Sequence, residues 1–143
     1  MADPSPALGE LARRLVEHEA GGMSDPAGSA AAVESACRKL RDELTDILGA
    51  GGVAALFRRA LKLAQGEHPL LAGVIVNADS TTFFTNLTQK LAGATDDEAF
   101  AAGASVVNHL LQLLAMLFGE DLTLYPVSKI WPQLVPHVRE MDG

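Results

Sequence analysis

Four histidines and one cysteine are the side chains best suited to chemistry in this 143-residue chain, so their spacing decides what is open to it. His18, His68, His109 and His137 stand far apart, and neither His-Glu-x-x-His nor Glu-x-x-His occurs. Zinc-protease and di-iron chemistry both need such spacing to bring ligands onto one helix face. No metal or cofactor is therefore expected. Cys37 lacks a His or Cys neighbour and falls on an apolar stripe, which predicts a buried thiol and not a nucleophile. A lone cysteine excludes an internal disulfide and fits a reducing compartment.

His109 is the most informative histidine because it interrupts an otherwise apolar stretch. Ser105, Asn108, His109 and Gln112 recur at helical spacing and predict one narrow polar strip. A histidine there could accept a phosphoryl group or ligate haem. The following Leu110-Leu111-Gln112-Leu113 lacks the Lys and small residues of phosphotransfer helices, and no aromatic-rich haem pocket is visible. Asn108, His109 and Gln112 are the candidates for a small-ligand site. Gly49, Gly51 and Gly52 carry no following Lys-Ser/Thr, so they read as a break between helices and not as a phosphate loop. No acid and base pair with assignable roles emerges, so a non-enzymatic function is expected.

Charge supplies the remaining candidates. The net charge is −7, which disfavours binding to a phosphate backbone, so no nucleic-acid partner is expected. Residues 1–62 hold eight of the 11 basic side chains against nine acids, while residues 63–143 hold three against nine. Arg58, Arg59 and Lys62 could therefore dock on the Glu120-Asp121 turn, within the chain or across a dimer. Glu120 and Asp121, followed by Trp131, form the candidate partner-recognition turn.

These residues need helices to position them. Apolar residues make up 48% of the chain but aromatics only 5%, so Leu, Ala and Val must build the core. Leu8, Leu11, Ala12 and Leu15 predict a helix over 6–18. Asp25-Pro26 is an N-cap and first-turn pair that opens a helix through Leu48, striped by Val33, Ala36, Cys37, Leu40, Leu44, Ile47 and Leu48. Gly49 ends it with φ > 0, and Gly51-Gly52 separate it from a helix over 53–65.

Further along, Val74-Ile75-Val76 has no evident strand partner and is expected to form an extended connection or a helical turn. Asp79 or Ser80 should cap a helix through Leu91. Thr95-Asp96-Asp97-Glu98 is a capping box that launches a long helix ending at Phe118. Asp121 is expected to cap the final helix, in which Pro126 fits only near the first turn. The longest unbroken apolar run, Leu113 to Phe118, is far short of the ~20 residues that cross a bilayer. With an N-terminus lacking signal-peptide character, this predicts a cytoplasmic protein with no membrane partner.

Two segments, GGVAALFRRALKLA at Gly51 to Ala64 and GEDLTLYPVSKIWP at Gly119 to Pro132, resemble a group of small, all-helical bacterial proteins. The resemblance implies a bacterial, single-domain, all-helical protein and transfers no catalytic residue. Members are expected to differ at Tyr125-Pro126, where the last helix starts. The expected fold is all-α, a single-domain bundle of five or six helices over 1–143, with residues 1–5 and 137–143 frayed. Its core should be Val33 to Leu48, Val53 to Ala64 and Val106 to Phe118. The expected function is a protein-interaction or regulatory module with a protein partner. A homodimer is expected because the apolar surface exceeds what short helices bury, and because only one of Phe83 and Phe84 can face a core. The alternative is a ligand- or haem-sensing bundle.

Overall fold

The computed structural model describes residues 6–22, 25–77 and 83–135. Within them lie five helices and one minimal hairpin: α1 (Pro6–Ala20), α2 (Pro26–Glu67), β1 (Ile75–Val76), β2 (Phe84–Thr85), α3 (Leu87–Ala92), α4 (Asp96–Phe118) and α5 (Glu120–Ile130). The architecture is an all-α bundle. The N-terminal and C-terminal residues expected to fray, and the Asp79 and Ser80 caps, fall outside the described residues.

Local chemistry sets the helix starts. The Asp25 carboxylate accepts from the Gly28 amide at 2.7 Å, one turn into α2. At α4, Thr95 Oγ1 accepts from the Glu98 amide while the Glu98 carboxylate accepts from the Thr95 amide, both at 3.1 Å. Asp96, Asp97 and Glu98 set negative charge against the positive end of that helix.

Gly49 does take positive φ (φ 78°, ψ 159°), but helical geometry resumes immediately after it. The expected Gly51-Gly52 linker is therefore wrong: both glycines lie within the helical run, and a single residue is enough to redirect the axis. A side chain at Gly49 would be strained, whereas Gly51 has no such requirement.

α2 and α4 share the most extensive packing, with α1 laid against both and α5 against α4. Leu15, Leu40, Phe57, Leu110 and Leu111 are fully buried where these helices meet. The α2–α4 approach is tightest at Gly103, where a Cβ would come within 2.5 Å of Val33 Cγ2. A second fastening joins the ends of the chain. The Glu19 carboxylate, with only 7% of its side chain exposed, accepts from Ser35 Oγ, Lys39 Nζ and the buried Trp131 indole (2.6, 2.8 and 2.9 Å). Burial alone would raise this carboxyl's pKa, but the hydrogen bonds from Lys39, Ser35 and Trp131 outweigh it and hold the group below its usual value.

The extended segment has a partner after all. Ile75 pairs with Thr85 and Val76 with Phe84 in antiparallel register, so β2 occupies residues expected to be helical. Tertiary contacts override the helical spacing of Phe83, Leu87 and Leu91. Phe83 stacks edge-on with both Phe57 and Phe84 at 4.8 Å, and the Phe84 amide donates to Glu34 Oε1 on α2. Asn86, in the left-handed region at φ 73°, turns the chain into α3.

α5 also departs from expectation. It begins at Glu120 with Gly119 (φ 87°) at its N-cap and no side-chain cap, so Asp121 lies in the first turn instead. Pro126 sits beyond that turn, inside the helix. Its missing N–H leaves the Leu122 carbonyl without the usual helical partner, and Leu122 is exposed, so water can supply the bond.

Candidate functional site

α4 projects Ser105, Asn108, His109 and Gln112 as one strip, as the spacing implies, and the end of α2 meets it. Ser105 Oγ donates to Glu67 Oε1 at 2.8 Å, and His109 Nε2 lies 2.9 Å from the same oxygen. The His109 contact, followed by the one from Ser105, holds the Glu67 carboxyl below its usual pKa. Both donors converge on the carboxylate. The serine hydroxyl is thus directed at Glu67 and not at an imidazole base, which is unlike the nucleophile–base relay of hydrolases. Asn108 Oδ1 accepts from Gln112 Nε2 at 3.0 Å. Beside the strip is an open depression of about 230 Å³ whose polar lining includes Arg13, Glu67 and Asn108. The geometry fastens α2 to α4.

The remaining candidates are dispersed. Arg58 borders a cleft of about 360 Å³ together with Arg41, Thr45 and Asn77, while Arg59 and Lys62 are exposed along α2. Among the described residues no ion pair joins these three cations to Glu120 or Asp121. Glu120 instead borders a groove with Arg14 and Leu124, between α1 and α5. Trp131 is buried on Glu19, which makes it an anchor of the core and not a supporting wall of an exposed turn. Cys37 is fully buried, and burial followed by the nearby Glu34 charge pushes its thiol pKa strongly up. Among the described residues no group of three or more His, Cys, Asp or Glu side chains is placed to hold a metal ion.

A different surface stands out. Ile47, Met116, Leu117, Phe118, Leu122 and Tyr125 are between 40% and 72% exposed. Ile47, Phe118, Leu122 and Tyr125 surround one apolar dimple of about 80 Å³, floored by Leu44, Leu48 and Leu114. This corrects the expectation that Ile47 and the Leu117-Phe118 end of α4 belong to the core. Helical spacing assigns a residue to a face but does not say how far the packing partner extends along it. Here α4 runs past the point where its neighbours cover it, and the break at Gly49 ends the first half of α2 beside that overhang. The excess apolar girth of α4 was the available signal. By length and composition α4 could also cross a membrane, though half of its most apolar window is buried in the fold.

Phe83 and Phe84 are both buried, so that pair leaves no apolar face over for a subunit contact. No protein-family model, curated protein or solved structure matches the chain.

Proposed function

We propose that this protein is a non-enzymatic interaction module that binds another polypeptide at the corner where α2, α4 and α5 meet. One observation supports the reading above others: four large apolar side chains, Ile47 at the end of the first half of α2, Phe118 at the end of α4, and Leu122 and Tyr125 on α5, stand exposed around one apolar dimple. Scattered exposed apolar residues need no explanation, but a contiguous cluster around a dimple is typical of recognition surfaces. The dimple has room for one aliphatic anchor, as in helix-in-groove recognition, where a few buried anchors dominate the affinity. The polar strip on α4 is occupied internally and contributes rigidity.

Selection from a displayed library of random peptides tests this. Helix-forming sequences should be enriched on the native chain and lost on Ile47→Asp and Leu122→Asp, whose sites are exposed and leave the core intact. Binders that ignore both substitutions would refute the reading.

A further inference from the structure

We infer that the partner seated at this corner is an amphipathic helix with Lys or Arg flanking its apolar face; the inference rests on the interaction reading above. The charges around the dimple carry it. Glu43 and Asp46 lie on the α2 side, next to Ile47, and Asp121 stands beside Leu122 and one helical turn before Tyr125. The cation at this edge is Lys129, and it is already engaged: its Nζ lies 3.3 Å from Glu43 Oε2 and 5.8 Å from the centre of the Tyr125 ring. The other cation on this stretch of α2, Arg41, is turned away, its Nε donating to Asp42 and its guanidinium 5.7 Å over Phe83. No Lys or Arg occurs anywhere between Lys90 and Lys129, the stretch that forms α4 and most of α5. Lys129 lies in the field of both Glu43 and Asp46, so this one cation is set against three acids, Glu43, Asp46 and Asp121, and the edge of the apolar seat keeps a net negative charge.

That pattern selects among occupants. Anchors entering the dimple supply affinity, and rim charge decides which helix is steered in and which is rejected. A basic flank meets Asp46 and Asp121. A second copy using the same face brings like charge against like, as a two-fold contact requires the surface to complement itself. An anionic membrane surface is repelled in the same way.

The test is fluorescence anisotropy of the full chain against two labelled amphipathic peptides with identical leucine faces, one flanked by lysines and one by glutamates. It is run beside light scattering of the chain alone and co-sedimentation with anionic phosphatidylserine vesicles. The lysine peptide is expected to bind at least about tenfold more tightly than the glutamate peptide, and more weakly as salt rises. Asp46→Asn with Asp121→Asn should narrow that preference while preserving binding, and Leu122→Asp should abolish binding of either peptide. Equal binding, or preference for the glutamate peptide, overturns the basic partner but leaves an interaction module in place. A dimer that dissociates on Leu122→Asp makes the occupant a second copy, and vesicle binding lost on the same substitution makes it a membrane; each overturns the inference. If neither peptide binds and the chain remains a monomer off the vesicles, both the inference and the interaction reading fall.

Discussion

Gly103→Ala isolates the α2–α4 contact that holds the bundle together. The added Cβ would lie 2.5 Å from Val33 Cγ2, against the 3.5–4.0 Å at which carbon atoms pack. Val33 has little room to yield: it is fully buried, and a β-branched side chain in a helix has essentially one rotamer. Overpacking of this kind costs about 1–3 kcal/mol. The change also removes a glycine from a helix interior, which returns about 0.5–1 kcal/mol. The net expectation is a loss of about 0–2.5 kcal/mol, or up to roughly 10 °C in Tm for a chain of this length. Urea unfolding followed by far-UV circular dichroism measures it. Val33→Ala alone should cost about 2 kcal/mol through the methyl groups and the void it leaves. Combined with Gly103→Ala, the two losses should total less than their sum by about 1 kcal/mol, because the new methyl enters the vacated space. An additive double variant would refute the close approach.

The same substitution at Gly51 should have the opposite sign, since its Cβ would meet nothing within 4 Å and its backbone is helical; a gain of about 0.5–1 kcal/mol in urea unfolding is expected. Glu19→Ala should destabilise by about 2 kcal/mol, because it strands the buried Trp131 N–H, and should shift the tryptophan emission of the native protein. The folded-state pKa of Glu19 lies below its usual 4.5, so its contribution is present above pH 4.5 and lost as pH falls through the folded pKa; acid titrations of Glu19→Gln should lack that component. The Cys37 thiol should be inert to a thiol reagent in the native state and react only as urea unfolds the chain, whereas rapid native reaction would contradict its burial.

The parts of the fold legible in the sequence are those whose cause lies within one helical turn. Asp25 and Pro26, the Thr95–Glu98 box, and the positive φ of Gly49 are local chemistry, and each is where spacing places it. What was illegible is nonlocal. β2 depends on Phe84 reaching Glu34, 50 residues away, and Trp131 depends on Glu19, 112 residues away; neither distance leaves a periodic trace. The polar strip of α4 was visible as a strip, but its partner Glu67 was not, because Glu67 comes from the far end of another helix. The apolar corner was hidden for the same reason. Ile47 belongs to the same stripe as buried Leu40 and Leu44, and only the geometry of the Gly49 break leaves it uncovered.

The most direct measurement of the central claim is a footprint: amide and methyl NMR shifts of the isotopically labelled full chain on addition of the lysine-flanked peptide. The largest perturbations should cluster on Ile47, Leu48, Phe118, Leu122 and Tyr125, with the Ser105–His109 strip and the Arg58–Lys62 face of α2 unmoved. A footprint centred on the Arg13–Asn108 depression or on the Arg58 cleft, or no footprint at all, would contradict an interaction module that works from this corner.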